Sequence, residues 1–365
     1  MTPRQKFRNT VLRSHSSSLP HFEAMGFWDE TIERWHKEGL PSETNPWDFF
    51  QIDRFMDNAP EAIAYHTDHV TSAPYWPPFE RSIVEQNDDY LIVQQEDGIV
   101  TKQLKNRTSI PQFIRFPVQE ERDWEAVKKR LDPCTPQRYQ GLREVAEQVK
   151  GRSTILRFGM CGAYGHLRNL CGMENLSYYL YDSPDLIHRI LKHWVAFNTV
   201  LADTMCPMID FDYVFLWEDM AYKTGPLVSP NHFREFILPY YKELIGYIRQ
   251  KHGLDIFMVD SDGNNWELFP LFLEGGINVF TPLEIAAGME PLEIHEKYPQ
   301  LALLGGIDKR ALLHGKSRIE DEIERKVCKL LEKGGYFPCL DHHVPADISF
   351  ESFCLYLEIL RKLVG

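Results

Sequence analysis

"LDIFMVDSDGNNWELFPLFLEGGINVF" (residues 254–280) decides the fold. It opens on an apolar, β-rich run, passes through an acidic turn into a short helical segment stopped at Gly275–Gly276, and closes on a second β-rich run. Strand, helix, strand is the unit of a parallel sheet. Downstream, "EPLEIHEKYP" reads as a helix, "LALLGG" as a strand, Lys309 to Lys333 as helical with a break near Gly315, "YFPCL" as a strand and "SFESFCLYLEILRKL" as a closing helix. Upstream lies "SPNHFREFILPYYKELIGYIRQKHG", a helix with Ser229 as N-cap and Pro230 at its first position. Before it come the strand "FDYVFL", a helical region over 174–205 and the strand "STILRFG". The pattern predicts parallel strands at 154–158, 212–216, 255–259, 277–280, 301–305 and 336–340 of one closed sheet. Two more from the N-terminal third, "EAIAYH" (61–66) being one candidate, would complete a (β/α)8 TIM barrel. A doubly wound sheet is the alternative, but it calls for a Gly-rich phosphate turn and no G-x-G-x-x-G occurs. The polar clusters "WEDMAYK", "DSDGN", "PLE", "GGIDKR" and "DHHVP" each follow a strand, where a barrel enzyme collects its chemistry.

The first 120 residues read differently, as an extension packing on a barrel that spans 121–365. "WDETIERWHKEGLP" is a short amphipathic helix from Trp28 to about Glu38. "YLIVQQEDGIVTKQL" is a hairpin turning at Asp97–Gly98. The whole chain has 365 residues, 43% hydrophobic and 25% charged, in the globular range. A formal charge of −13 argues against a nucleic-acid partner. No apolar stretch approaches a membrane span, and the basic opening "MTPRQKFRNTVLRSHSSSLP" lacks a signal peptide's apolar segment. Seven scattered cysteines without a CxxC pair fit a reducing cytoplasm.

The acidic turn has three look-alikes. An EF-hand wants glycine at position six and glutamate at twelve; counting from Asp260, Gly263 is at four and Leu271 at twelve. A D-x-D-G phosphatase needs a later lysine and acidic pair, and "GGIDKR" holds one aspartate. The third reading makes Asp262 the cap of a helix starting near Asn264. Asp260 fits that reading less well: at a barrel mouth, a solitary carboxylate is costly to bury without a partner. The expectation is therefore that Asp260 is functional and Asp262 mainly structural.

The segments "WEDMAYKTGPLVSPNHFREFILPYY" (217–241), "LLGGIDKRAL" (303–312), "DHHVPADISFESF" (341–353) and "FGMCGAYGHL" (158–167) resemble the uroporphyrinogen decarboxylase superfamily. That superfamily includes porphyrinogen decarboxylases and corrinoid-dependent methyltransferases on a common barrel. The decarboxylases carry an R-Q-A-G-R-Y segment that grips substrate carboxylates; this chain has "PRQKFRN" (3–9) without that spacing. The methyltransferases bind zinc through His-x-Cys and a later Cys. Here Asp260 and Asp262 stand in place of His-x-Cys and "CLDHH" (339–343) near the last ligand, so the resemblance implies an alternative zinc set of Asp260, Asp262 and His342.

The leading expectation is a methyltransferase that moves a methyl group between a small methylated compound and a corrinoid (cobalamin) on a carrier protein. Asp260 and His342 act at the centre, Glu218 or Asp219 handles the proton, and at most one of these neighbours faces the mouth. Lys223 returns to neutralise them, and Arg157, which alternates with apolar residues, is an inward anion hook. Tyr164, Asp308 and Lys309 are further substrate-binding candidates, Asp308 also being a possible helix cap. The alternatives are a tetrapyrrole or polycarboxylate decarboxylase, with Arg157, Lys309 and Arg310 holding carboxylates and no metal, and a non-catalytic tetrapyrrole-binding protein. A homodimer is compatible with each.

Overall fold

Every β-rich run beyond residue 150 forms a strand, and every amphipathic run between them packs as a helix. The computed structural model describes residues 1–13, 19–23, 25–53, 68–69, 75–105 and 111–364. In chain order the strands are β1 (Asp68–His69), β2 (Ser82–Gln86), β3 (Tyr90–Gln94), β4 (Val100–Leu104), β5 (Gln112–Arg115), β6 (Arg157–Cys161) and β7 (Tyr213–Trp217). They continue with β8 (Ala221–Tyr222), β9 (Gly225–Pro226), β10 (Phe257–Asp260), β11 (Val279–Thr281), β12 (Ala302–Leu304) and β13 (Tyr336–Phe337). One sheet runs β1-β6-β7-β10-β11-β12-β13, and all its neighbours are parallel. All six expected strands are present, shifted or trimmed by up to three residues. The candidate strand at 61–66 lies outside the described residues.

Strand parity shows which way each side chain points. Ile155, Tyr213, Phe215, Ile256, Met258, Val279, Ala302, Leu304, Phe337 and Cys339 form one buried cluster. The residues between them, such as Val214, Leu216, Phe257, Val259, Phe280 and Leu303, join a second cluster with the surrounding helices. Burial on both faces is what a helix-wrapped parallel sheet requires. The sheet is also curled. Phe7, from the helix Pro3–Val11, stands 5.3 Å from Tyr213 on β7 and 5.4 Å from Phe337 on β13, ring centre to ring centre. Those strands are four places apart in the sheet order, so the N-terminal helix plugs the inside of the curl. Among the described residues no ladder joins β13 to β1; the curl is observed, and the closed ring expected from the sequence is not drawn by hydrogen bonds.

The expected hairpin is β3–β4, and β2 and β5 extend it to four antiparallel strands. The helix expected from Trp28 is Asp29–Glu38. Ser229 caps as read: its Oγ accepts the His232 N–H at 3.1 Å, with Pro230 next in line. One helix starts later than expected. After Asp262 the chain makes turns until the helix Phe269–Gly275. The seven cysteines are free, and no helix among the described residues is long and apolar enough to cross a membrane.

Candidate active site

Parity separates the two neighbouring carboxylates after β7. Tyr213 and Phe215 point inward, Val214 and Leu216 outward. Glu218 continues the outward row. It is fully buried, its carboxylate accepts the Tyr241 hydroxyl and, at 2.7 Å, the Gly165 N–H. Gly165, with Ala163 and Tyr164, opens the helix Ala163–Cys171, and the N–H groups of all three favour the ionised carboxylate. Glu218 thus satisfies from another element the free donors that every helix N-terminus presents. Burial outweighs those bonds and pushes its pKa up to about 7. A Cβ on Gly162 would stand 2.1 Å from the Glu218 carboxyl, so glycine is required there. This acid therefore lies in the wall and not at the mouth. Tyr164, also buried, lies on the same wall helix and its expected contact with substrate has no support in this placement.

Asp219 turns the other way, with a left-handed φ of 48° that L-residues rarely adopt. Arg168 holds it: one guanidinium nitrogen donates to the Asp219 carbonyl at 2.7 Å and another to Oδ2 at 3.3 Å. The guanidinium also lies 4.4 Å from the centre of the Trp217 ring. Lys223, expected to neutralise these acids, is exposed between β8 and β9. Arg168 pairs with Asp219, and the Tyr241 hydroxyl hydrogen-bonds Glu218.

The loop after β10 is laced to the loop after β7. The Glu218 N–H donates to the Asp260 carbonyl at 2.8 Å, the Met220 N–H to Ser261 Oγ at 3.0 Å and the Asn264 N–H to the Tyr222 carbonyl at 2.9 Å. Gly263, at φ 79°, passes so close that a Cβ would meet the Ala221 carbonyl oxygen at 2.6 Å. Its N–H reaches Glu284 at 2.7 Å. Asn265 ties the loop from inside, donating to the Ser261 and Asp262 carbonyls at 3.0 Å each.

Asp260 is the last residue of β10 rather than the first past it, 5% exposed and in the inward row with Ile256 and Met258. Asp262 is not a helix cap. Its N–H donates to Asp219 Oδ1 at 3.4 Å, and its Oδ2 faces His342 Nε2 at 3.4 Å across the mouth. Burial raises the Asp219 pKa and the neighbouring Asp262 charge adds to it, with Arg168 opposing. Asp260 therefore faces inward as expected, but from the strand end, while Asp262 meets the histidine at the rim instead of capping a helix.

His343 packs 5.1 Å from His342 and 5.3 Å from Trp28, which closes the rim from the N-terminal segment. Asp341 is buried and binds the N–H groups of Ile285 and Lys309, each at 3.2 Å, so it ties the loops after β11 and β12 to that after β13. Asp308 caps the turn Lys309–His314, its Oδ1 accepting the Arg310 N–H at 2.9 Å, and forks with the Arg310 guanidinium. That is the cap reading, and it leaves the Asp308 carboxylate committed. Arg157 is buried and inward, 4.4 Å over the Phe215 ring, as the alternation of its neighbours indicated. Arg168, Tyr241 and Asp341 hold the strand-end loops together, and sequence reasoning missed them. Their partners are remote in sequence, so no local pattern marks them.

Among the described residues no group of three His, Cys, Asp or Glu side chains stands where it could hold a metal ion. Asp262 and His342 meet, but Asp260 does not complete a set with them. Among the described residues zinc therefore has no fitting donor set.

The arrangement is that of a parallel α/β enzyme fold, with its polar residues gathered beyond the C-terminal ends of the strands. The chain belongs to the uroporphyrinogen decarboxylase (URO-D) family, whose model matches residues 90–363 and so takes in most of the small antiparallel sheet. A methyltransferase from Methanosarcina mazei shares the fold, with TM-score 0.61 and 14% identity over 99% of this chain and 98% of that one. Among curated proteins there is no match.

Proposed function

We propose that the protein is a methyltransferase of the URO-D family that passes a methyl group between a small methylated compound and a corrinoid held by a carrier protein. The observation that carries this reading is the Asp262–His342 pair, 3.4 Å apart across the mouth. A carboxylate facing an imidazole can hold a proton and deliver it. The methyl group leaves its heteroatom for the reduced corrinoid, the heteroatom keeps the bonding electrons, and His342 supplies the proton that the departing group then needs. In the reverse direction His342 takes that proton back. Asp262, 3.4 Å away, orients the imidazole.

The charge around the mouth supports the same choice. Asp219, Asp262, Glu284 and Asp341 stand round it, while Arg168 and Arg310 are committed to Asp219 and Asp308. A polycarboxylate wants a free cation for each acid. The decarboxylase reading retains the inward Arg157 and the half-buried Lys309, whose charge lies near Asp341, and is decided by the same experiment.

Purified protein is mixed with reduced cobalamin and, in turn, methanol, methylamines, methyl thioethers and methoxylated aromatics, and the cobalamin spectrum is followed. Methylation with one donor, reduced about 10²–10⁴-fold in His342→Asn, is expected. Carbon dioxide release from uroporphyrinogen without methyl transfer overturns the reading in favour of the decarboxylase. Tight porphyrinogen binding with neither turnover overturns it in favour of a binding protein.

A further inference from the structure

The contact between Asp262 and His342 depends on where the 261–263 turn points; Asn265 and Glu284 tie its main chain, and the Asp262 N–H meets Asp219. The turn begins where β10 ends, with Asp260 bound through its carbonyl to the Glu218 N–H. On the other side the turn leans on the neighbouring 218–222 loop, which includes Asp219 at φ 48°. Such a conformation in a residue with a Cβ costs energy and persists only where its surroundings over-determine it.

Arg168 supplies that determination. It binds both the main-chain carbonyl and the side-chain carboxylate of Asp219, so it fixes the peptide and the rotamer together. Its plane is held against Trp217, and its side chain is 17% exposed. The other carboxylate oxygen of Asp219 takes the Asp262 N–H at 3.4 Å. The contacts run in one line from a wall helix to the mouth: Arg168, Asp219, Asp262, His342.

We propose that Arg168 is a positioning residue for the candidate centre, acting through Asp219 to set the direction in which Asp262 presents its carboxylate to His342. This rests on the reading of Asp262 and His342 as the reacting pair. A lysine does not replace it, because one ammonium lacks the planar fork that engages the carbonyl and the carboxylate in fixed geometry.

The test reads the His342 ring nitrogen resonances in the full chain labelled with ¹⁵N-histidine, at one fixed pH. Asp262→Asn is the reference and shifts the His342 Nε2 resonance. Arg168→Ala shifts it in the same sense, added guanidinium restores the wild-type position, and Arg168→Lys leaves most of the displacement in place. Asp219→Ala gives the displacement of Arg168→Ala, and the double variant gives no more than either single one, as for two links in one chain. A merely structural role would lower the melting temperature without the rescue. No displacement in Arg168→Ala, or additive displacements in the double variant, overturns the proposal while the Asp262 reference still stands. If Asp262→Asn itself leaves His342 unmoved, the reading of the centre fails instead. Should Arg168→Ala not fold, Asp219→Ala carries the test alone, and an unmoved His342 there overturns the proposal.

Discussion

The wall pocket around Glu218 and the mouth around Asp262 are both acidic and both draw on the loop after β7, yet they meet opposite conditions. Glu218 is 0% exposed and bound by the Tyr241 hydroxyl and a helix N-terminus. Asp262 has a side chain 39% exposed, with one oxygen towards His342 and the other, Oδ1, buried without a hydrogen-bond partner. The first arrangement satisfies its carboxylate and fixes a helix to a strand; the second leaves bonding capacity unused at an open edge. Acidity alone therefore says little about function. What separates the two is whether the protein has already supplied every partner.

The largest effect should come from filling the wall pocket. Gly162 has an ordinary φ of −67°, so alanine is not strained there by its backbone. Its Cβ would nevertheless stand 2.1 Å from the Glu218 carboxyl, and neither that buried acid nor the helix it caps can retreat freely. Gly162→Ala should cost about 3 kcal/mol, the upper part of the range for overpacking, in urea unfolding of the whole protein. A loss under about 0.5 kcal/mol would mean the pocket is slack and the contrast with the mouth is overdrawn.

A smaller effect follows from the charge held in that pocket. The folded pKa of Glu218 is raised from 4.5 to about 7 by burial. Below pH 4.5 both folded and unfolded chains hold the proton, and the acid adds nothing to the pH dependence. As the pH rises from 4.5 to 7 the unfolded chain ionises first, so stability falls across that window and levels off above it. Glu23, buried against Tyr356 and raised to about 8, adds a slope of its own from pH 4.5 and carries the fall on to about 8. Glu218→Gln should reduce the slope of stability between pH 4.5 and 7 and leave the share of Glu23, which runs on to about 8. An unchanged slope would show that Glu218 ionises as freely as a rim carboxylate.

How much of this was legible in the sequence depends on the range of the interaction. β7 was expected one residue early and β10 two residues early, because runs such as "FDYVFL" and "LDIFMVD" declare themselves locally. β6 was expected three residues early, since Gly159 and Cys161 continue a strand that "STILRFG" appeared to end. That only one of Glu218 and Asp219 could face the mouth also followed from alternation. Which one did not, because parallel strands are apolar on both faces and carry no mark of the inner side. Asp262 was misread as a cap because "DGNN" favours a helix start locally. The loop is held instead by Met220, Tyr222 and Glu284, all contacts between strands. Arg168 lies 51 positions from Asp219 on an unremarkable helix.

The smallest stability effect should be at the mouth itself, in Asp262→Ala. Were Asp262 a cap, its loss would cost roughly 0.5–2 kcal/mol. It caps nothing: the helix begins at Phe269, and the turn is tied by Asn265, whose bonds to the main chain do not involve the Asp262 carboxylate. The N–H of residue 262 remains to meet Asp219 in the alanine variant, and removing one charge relieves the repulsion between two neighbouring carboxylates. The net change in unfolding free energy should therefore lie within about 0.5 kcal/mol of zero, while methyl transfer falls roughly 10²-fold or more as His342 loses its partner. Urea unfolding and cobalamin spectroscopy on the same preparation measure both quantities. A loss of more than about 1 kcal/mol, in the range of a lost cap, with transfer unchanged would assign Asp262 to the framework after all, and the mouth would then differ from the wall pocket only in its exposure to water.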